Sequence, residues 1–116
     1  MEKLEKLCAG KIFKIVQYSN GDDYLFFESE NRLYFKRLMK RHLAPVGDVT
    51  NIGFSPDKIE LVIQFHDETR IPEKYRERLY QPLSNLFNSY AKAINSRYNR
   101  RGSLFTTRFQ RQEILT

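Results

Sequence analysis

The sequence predicts an α+β fold of the ferredoxin-like, split-βαβ kind, with an antiparallel sheet and two main helices on one face. Three observations carry this. Ile59, Leu61, Ile63 and Phe65 alternate with polar or exposed-type residues, as a strand with one buried face requires. Leu83, Leu86, Phe87, Tyr90 and Ile94 recur at helical spacing. Around these, the order of elements reads strand, helix, strand, strand, helix, strand. At 116 residues the chain is the size of one domain, taken as 1–116.

Each element has its own local reason. Residues 11–18, KIFKIVQY, are rich in β-branched and aromatic types and predict the first strand. Residues 19–23, SNGDD, are a turn cluster, and 24–27, YLFF, read as a short extended piece. Ser29 offers an N-cap, and Glu30 suits the first turn of a helix reaching about His42. Its expected buried stripe is Leu33, Tyr34, Leu38 and Met39. Pro45 stops that helix. Residues 46–54 and 59–65 form a hairpin across the type I turn at 55–58, with Pro56 at its second position. Residues 66–82 are a polar insertion, with a short helix expected from Pro72 to Tyr80. A strong helix follows over 83–98, then a basic turn at 99–102 and a last strand at 103–109.

Charge is the first pointer to function. Residues 1–81 hold 14 Lys/Arg against 13 Asp/Glu, a net +1, whereas residues 82–116 hold 6 against 1, a net +5. That asymmetry points to a polyanion partner, in competition with a merely solvated basic face. No apolar run approaches a membrane span, so no membrane partner is expected. Cys8 is the single cysteine, which excludes an internal disulfide and favours a cytoplasmic location. With Cys8, two histidines (His42 and His66) are too few for a Cys/His zinc cluster.

Four segments, in order, resemble the HUH-type single-tyrosine transposases, the insertion-sequence-200-like and REP-associated group. KIFKIVQYSNGDDYLFF stands where that family has its first strand, basic turn and Ile-Phe-Phe. ESENRLYFKRLMKRHLAP resembles its acidic-start helix with a central Phe, here Phe35. NIGFSPDKIELVIQF stands where the family reads Leu-Met-Pro-Asn-His-U-His-Leu-Leu-Ile. LSNLFNSYAKAINSRYNRRGSLFTTRFQR resembles its tyrosine helix and Arg-Gly-x-Leu-Phe…Arg-Phe ending. The resemblance covers about residues 10–111; chains of that family usually continue beyond the Arg-Phe ending, which implies either a missing C-terminal region or a remnant.

The resemblance implies a role in DNA transposition. In such a site two histidines, one residue apart on a strand, hold a magnesium or manganese ion on one sheet face. The ion polarises a DNA phosphate, which a helix tyrosine attacks. Here the histidine positions are Lys58 and Glu60, and an ammonium repels a cation. A domain without a metal or cofactor, and without metal-dependent nicking, is therefore expected. Tyr90 is the candidate nucleophile, although its place in the apolar stripe also fits core packing; Tyr98 is the alternative. His66 reads as a capping or surface residue. The partner implied is single-stranded or hairpin DNA, contacted at its phosphates by Lys92, Arg97, Arg100, Arg101, Arg108 and Arg111. Tyr98 and Phe105 could stack on bases. Three alternatives stay open: an active tyrosine transposase with an unusual metal set or a phosphate clamp by Lys58, a domesticated protein-interaction domain, and a homodimer.

Overall fold

The structure, a computed structural model, describes residues 5–21, 24–106 and 108–115. Its elements are β1 (Ile12–Tyr18), α1 (Ser29–Leu43), β2 (Gly47–Ser55), β3 (Lys58–Phe65), a 3₁₀ turn (Glu68–Arg70), a one-turn helix α2 (Glu73–Arg76), α3 (Tyr80–Arg97) and β4 (Gln110–Glu113). The four strands form one sheet in the order β2-β3-β1-β4, every neighbouring pair antiparallel. This is the split-βαβ order. The expected α+β, ferredoxin-like class is the one observed.

The alternation in β3 orients the sheet. Ile59, Leu61, Ile63 and Phe65 are buried, as are Phe13 and Ile15 beside them on β1. These side chains meet Phe35, Leu38, Met39 and Leu43 of α1 and the predicted stripe of α3, all five of whose members are buried. Phe35 lies edge-on to Tyr90, with ring centroids 5.3 Å apart, at the centre of that layer. Gly47 is required where β2 enters the sheet, because a Cβ there would stand 2.6 Å from the Gln64 carbonyl oxygen.

Several boundaries differ from the sequence-based expectations, each for a physical reason. The N-cap of α1 is Glu28, not Ser29. Asn31 decides this: its Oδ1 accepts the backbone N–H groups of Phe27 (2.7 Å) and Glu28 (2.8 Å), satisfying donors at the helix start. The stripe of α1 is rotated accordingly, with Phe35 buried and Leu33 59% exposed. Residues 24–27 make no ladder; Leu25 donates its N–H to the Pro56 carbonyl and tucks under the β2–β3 turn. α3 starts at Tyr80, with Pro82 inside the first turn, where its missing N–H would be unpaired anyway. The short helix expected at 72–80 shrinks to one turn at Glu73–Arg76.

The last strand lies at 110–113, not at 103–109. Ser19 bridges Phe105, whereas Val16 pairs with Gln110, so the antiparallel register slips by two residues between them. The chain bulges off β1 there, which turns Arg108 away from the ladder. Asp22 and Asp23 of the first turn, and Thr107 of the expected last strand, lie outside the described residues.

Candidate nucleic-acid interface

From Arg78 to Gln112 the sequence contains seven Lys/Arg and no Asp or Glu. The fold makes this stretch into the two walls of one groove. One wall is the side of α3 that carries Ser84, Asn88, Lys92 and Asn95, spaced three to four residues apart and so stacked along the helix. The other is made by residues 102–106 together with Phe109. Between them lies a cavity of about 580 Å³, with Gln17 of β1 in its lining. Gln17 is itself buried; its Oε1 accepts the Thr106 hydroxyl at 3.1 Å, which ties the outer wall to the sheet.

The basic turn closes one end of the groove. Asn99 (φ 50°) and Gly102 (φ 87°) both adopt left-handed backbone, so the chain reverses sharply after α3. Asn95 holds this reversal: its Nδ2 donates to the Gly102 carbonyl at 3.0 Å, and its Oδ1 accepts from Arg100. The groove therefore has a built rim.

The predicted contact residues fall into three groups. Lys92, Arg101 and Arg108 are exposed and make no ion pair among the described residues. Arg111 lines a second cavity that shares Ser84 and Phe109 with the groove. Arg97 and Arg100 are occupied. Arg97 reaches Glu28 at 3.2 Å and Glu30 at 3.5 Å, so it neutralises the acidic start of α1. Its pKa is raised, first by a hydrogen bond with Tyr98 and then by the neighbouring phenol and carboxylates. Arg100 serves the turn through Asn95.

The expected base-stacking residues are packed instead. Phe105 is buried against Phe87, 5.4 Å between centroids. Tyr98 is half-buried, stacked at 4.5 Å on Phe27, and its hydroxyl accepts from Asn31 at 3.1 Å. His66 is largely buried beside Asp48, 3.7 Å away, and its backbone N–H donates to the Val46 carbonyl.

Tyr90 and the strand pair Lys58 and Glu60 lie on opposite faces of the sheet. Tyr90 is fully buried among the helices, and its hydroxyl donates to the Leu25 carbonyl at 2.6 Å. Burial is the main cause that raises its pKa, with Tyr98 adding to it and Arg32 opposing. A protonated, buried phenol committed to a carbonyl cannot attack a phosphate held on the far face. In this structure Tyr90 is a core residue, because the stripe that seemed to present it to DNA is the stripe that packs on α1. Lys58 and Glu60 stand side by side on the open face, 3.3 Å apart, with Lys14 also 3.9 Å from the same carboxylate oxygen. The carboxylate is thus flanked by two ammonium groups. Among the described residues no group of three or more His, Cys, Asp or Glu side chains comes together to hold a metal ion.

The fold has a known counterpart. The chain is similar to the solved structure of a REP-associated tyrosine transposase bound to a REP hairpin, with a TM-score of 0.71 over 100% of this chain. Sequence identity is 9%, and the chain spans 64% of that protein's length. No family model and no curated protein matches the chain. The likeness establishes a fold relation with that transposase and does not establish family membership. Lys58 and Glu60, the positions that the sequence resemblance set against a histidine pair, carry an ion pair here. Among the described residues no helix is long and apolar enough to cross a membrane.

Proposed function

We propose that the chain is a transposase-like DNA-binding domain that holds single-stranded or hairpin DNA in the groove between α3 and residues 102–106 with Phe109, without metal-dependent nicking. The observation that carries this reading is the groove: both walls come from a stretch of 35 residues, 78–112, free of carboxylates. A phosphate backbone meets Lys92 in the groove, Arg101 in the turn at its end and Arg108 in the neighbouring cavity, with no acidic residue in either wall of the groove. Asn88 supplies an amide that can donate to or accept from bases and sugars. The likeness to a hairpin-bound transposase supports the same class of ligand.

No divalent metal takes part in this reading, since Glu60 lies between Lys14 and Lys58. In this reading, binding positions the strand.

The test is fluorescence anisotropy with a labelled DNA hairpin across a salt series. Three phosphate contacts, from Lys92, Arg101 and Arg108, predict a log–log slope of about −2, from about 0.7 per phosphate on single strands. The double variant Lys92→Ala, Arg101→Ala should reduce that slope by about 1 to 1.5 and weaken binding to all sequences alike. Absence of binding at low salt by the folded protein would reject the nucleic-acid reading and leave a protein partner.

A further inference from the structure

β4 carries a charge where a strand of this sheet should carry a core residue. Arg111 pairs with Ile15, which is fully buried on the helix side, and paired residues share a face. Arg111 therefore points inward, beside the first turns of α3. Its guanidinium lies over the Phe109 ring, 4.2 Å from the centroid, which fixes the plane of the fork. Its Nε is buried and has no hydrogen-bond partner among the described residues. A buried, unpaired donor on a permanently charged group is costly to leave unsatisfied.

The surroundings indicate what would satisfy it. Arg111 lines a cavity of about 510 Å³ together with Lys6, Arg108, Ser84, Tyr80 and Glu5. Burial lowers the pKa of Arg111, and the nearby Arg108 guanidinium lowers it further. Three cations face one carboxylate, and one oxygen of that carboxylate is already taken by the Glu113 backbone N–H at 2.7 Å. The cavity thus holds a net charge of +2 and also contains two hydroxyls. A phosphate monoester brings about −1.5 to −2 and three acceptor oxygens, which matches that set; a diester brings only one charge. The cavity is contiguous with the DNA groove, so a strand lying in the groove would bring an end to it.

We propose that Arg111, Arg108 and Lys6, with the hydroxyls of Ser84 and Tyr80, form a binding site for a phosphate monoester, supplied by the terminal phosphate of a DNA strand or by a free phosphate compound. The strand source rests on the DNA-binding reading; the site itself does not. The neutral reading is that an inward arginine merely guards the sheet edge against pairing with another chain. An arginine with that role alone would have no preference for phosphate over other anions.

Two measurements test the site. In the first, thermal unfolding is followed in inorganic phosphate and in chloride at equal ionic strength. The wild type should be stabilised by phosphate, and Arg108→Gln with Arg111→Gln should not. In the second, anisotropy compares one short labelled oligonucleotide carrying a 5′-phosphate, a 3′-phosphate or neither. One phosphorylated form should bind about tenfold more tightly than the unphosphorylated strand. That gain should vanish in Arg111→Lys, which keeps the charge but loses the fork. The same gain should persist in Lys92→Ala, Arg101→Ala, which weakens all three strands alike. Stabilisation by phosphate without a terminal-phosphate gain supports the site and assigns it to a free phosphate compound. Stabilisation without any DNA binding also supports the site, while rejecting the DNA reading. Equal stability in phosphate and chloride, with equal affinity for all three strands, overturns the proposal.

Discussion

Replacing Tyr90 by Phe separates its packing role from the nucleophilic role that the family resemblance suggests. The ring stays in place, so no cavity opens. What is lost is the 2.6 Å hydrogen bond to the Leu25 carbonyl, with both residues fully buried. Losing one partner of a buried hydrogen bond costs about 1–3 kcal/mol, so about 2 kcal/mol is expected near pH 8. For a chain of this length that lowers the melting temperature by about 8 °C, at roughly 4 °C per kcal/mol. A pH dependence supplies the sharper check. Burial raises the Tyr90 pKa in the folded protein, whereas an unfolded tyrosine titrates at about 10. Between these values the unfolded state loses a proton that the folded state keeps. The Tyr90 contribution is therefore complete below pH 10 and falls as pH rises beyond it. By pH 11 the wild type has lost roughly 1 kcal/mol that the phenylalanine variant, having no hydroxyl, does not lose. The penalty of the substitution should shrink by about half or more between pH 8 and pH 11. Urea unfolding of both proteins at the two pH values measures it. A penalty unchanged by pH would refute the argument, and so would a covalent DNA adduct that the substitution abolishes.

Other positions give independent checks. Gly47→Ala places a methyl 2.6 Å from the Gln64 carbonyl oxygen and should cost about 1–3 kcal/mol in chemical unfolding, whereas Gly53→Ala, whose Cβ meets nothing within 4 Å, should not. Calorimetry with manganese should find no site tighter than roughly millimolar, because the Glu60 carboxylate is flanked by Lys58 and Lys14; a micromolar site lost in Glu60→Gln would contradict this. Burial, and then Arg41, lowers the His42 pKa, so the unfolded chain takes up a proton first as pH falls below about 6.5. The His42 contribution is present above that pH and is lost below it; in His42→Gln the acid limb of the stability profile should begin at lower pH.

The parts of the fold legible in the sequence were those in which one periodicity spoke alone. The alternation of 59–65 and the helical spacing of 83–94 gave the buried faces of β3 and α3 without error, because each buries one face against the core. α1 was harder. Leu33 and Phe35 compete for the stripe, and apolar spacing alone admits both. The choice rests with Asn31, whose two hydrogen bonds set the phase of the first turn and which no hydrophobic pattern weighs. The last strand was misplaced for a related reason. Residues 103–109 have strand composition, but Leu104, Phe105 and Phe109 bury themselves against α3 instead of joining the ladder, and the polar QRQE pairs with β1. β4 is an edge strand, and its weak hydrophobicity is suited to an edge.

The candidate site was legible in its charge and illegible in its assembly. Composition located the basic stretch, yet it treated its five arginines as equivalent. The fold divides them by what each touches. Arg97 is paired with the acidic start of α1, and Arg100 is bound into the turn. Arg101 and Arg108 remain exposed, and Arg111 points inward from an edge strand. Nothing in linear spacing distinguishes these fates, because the groups that occupy Arg97 are 67 and 69 residues away in the chain. The same holds for Tyr90. A tyrosine on an amphipathic helix is a nucleophile or a core residue according to which face of the sheet that helix covers. That face is fixed by α1 and Leu25, not by the helix itself. The carboxylate-free stretch is visible in the sequence, but only the split-βαβ topology, by folding 102–106 and Phe109 back beside α3, turns it into a groove.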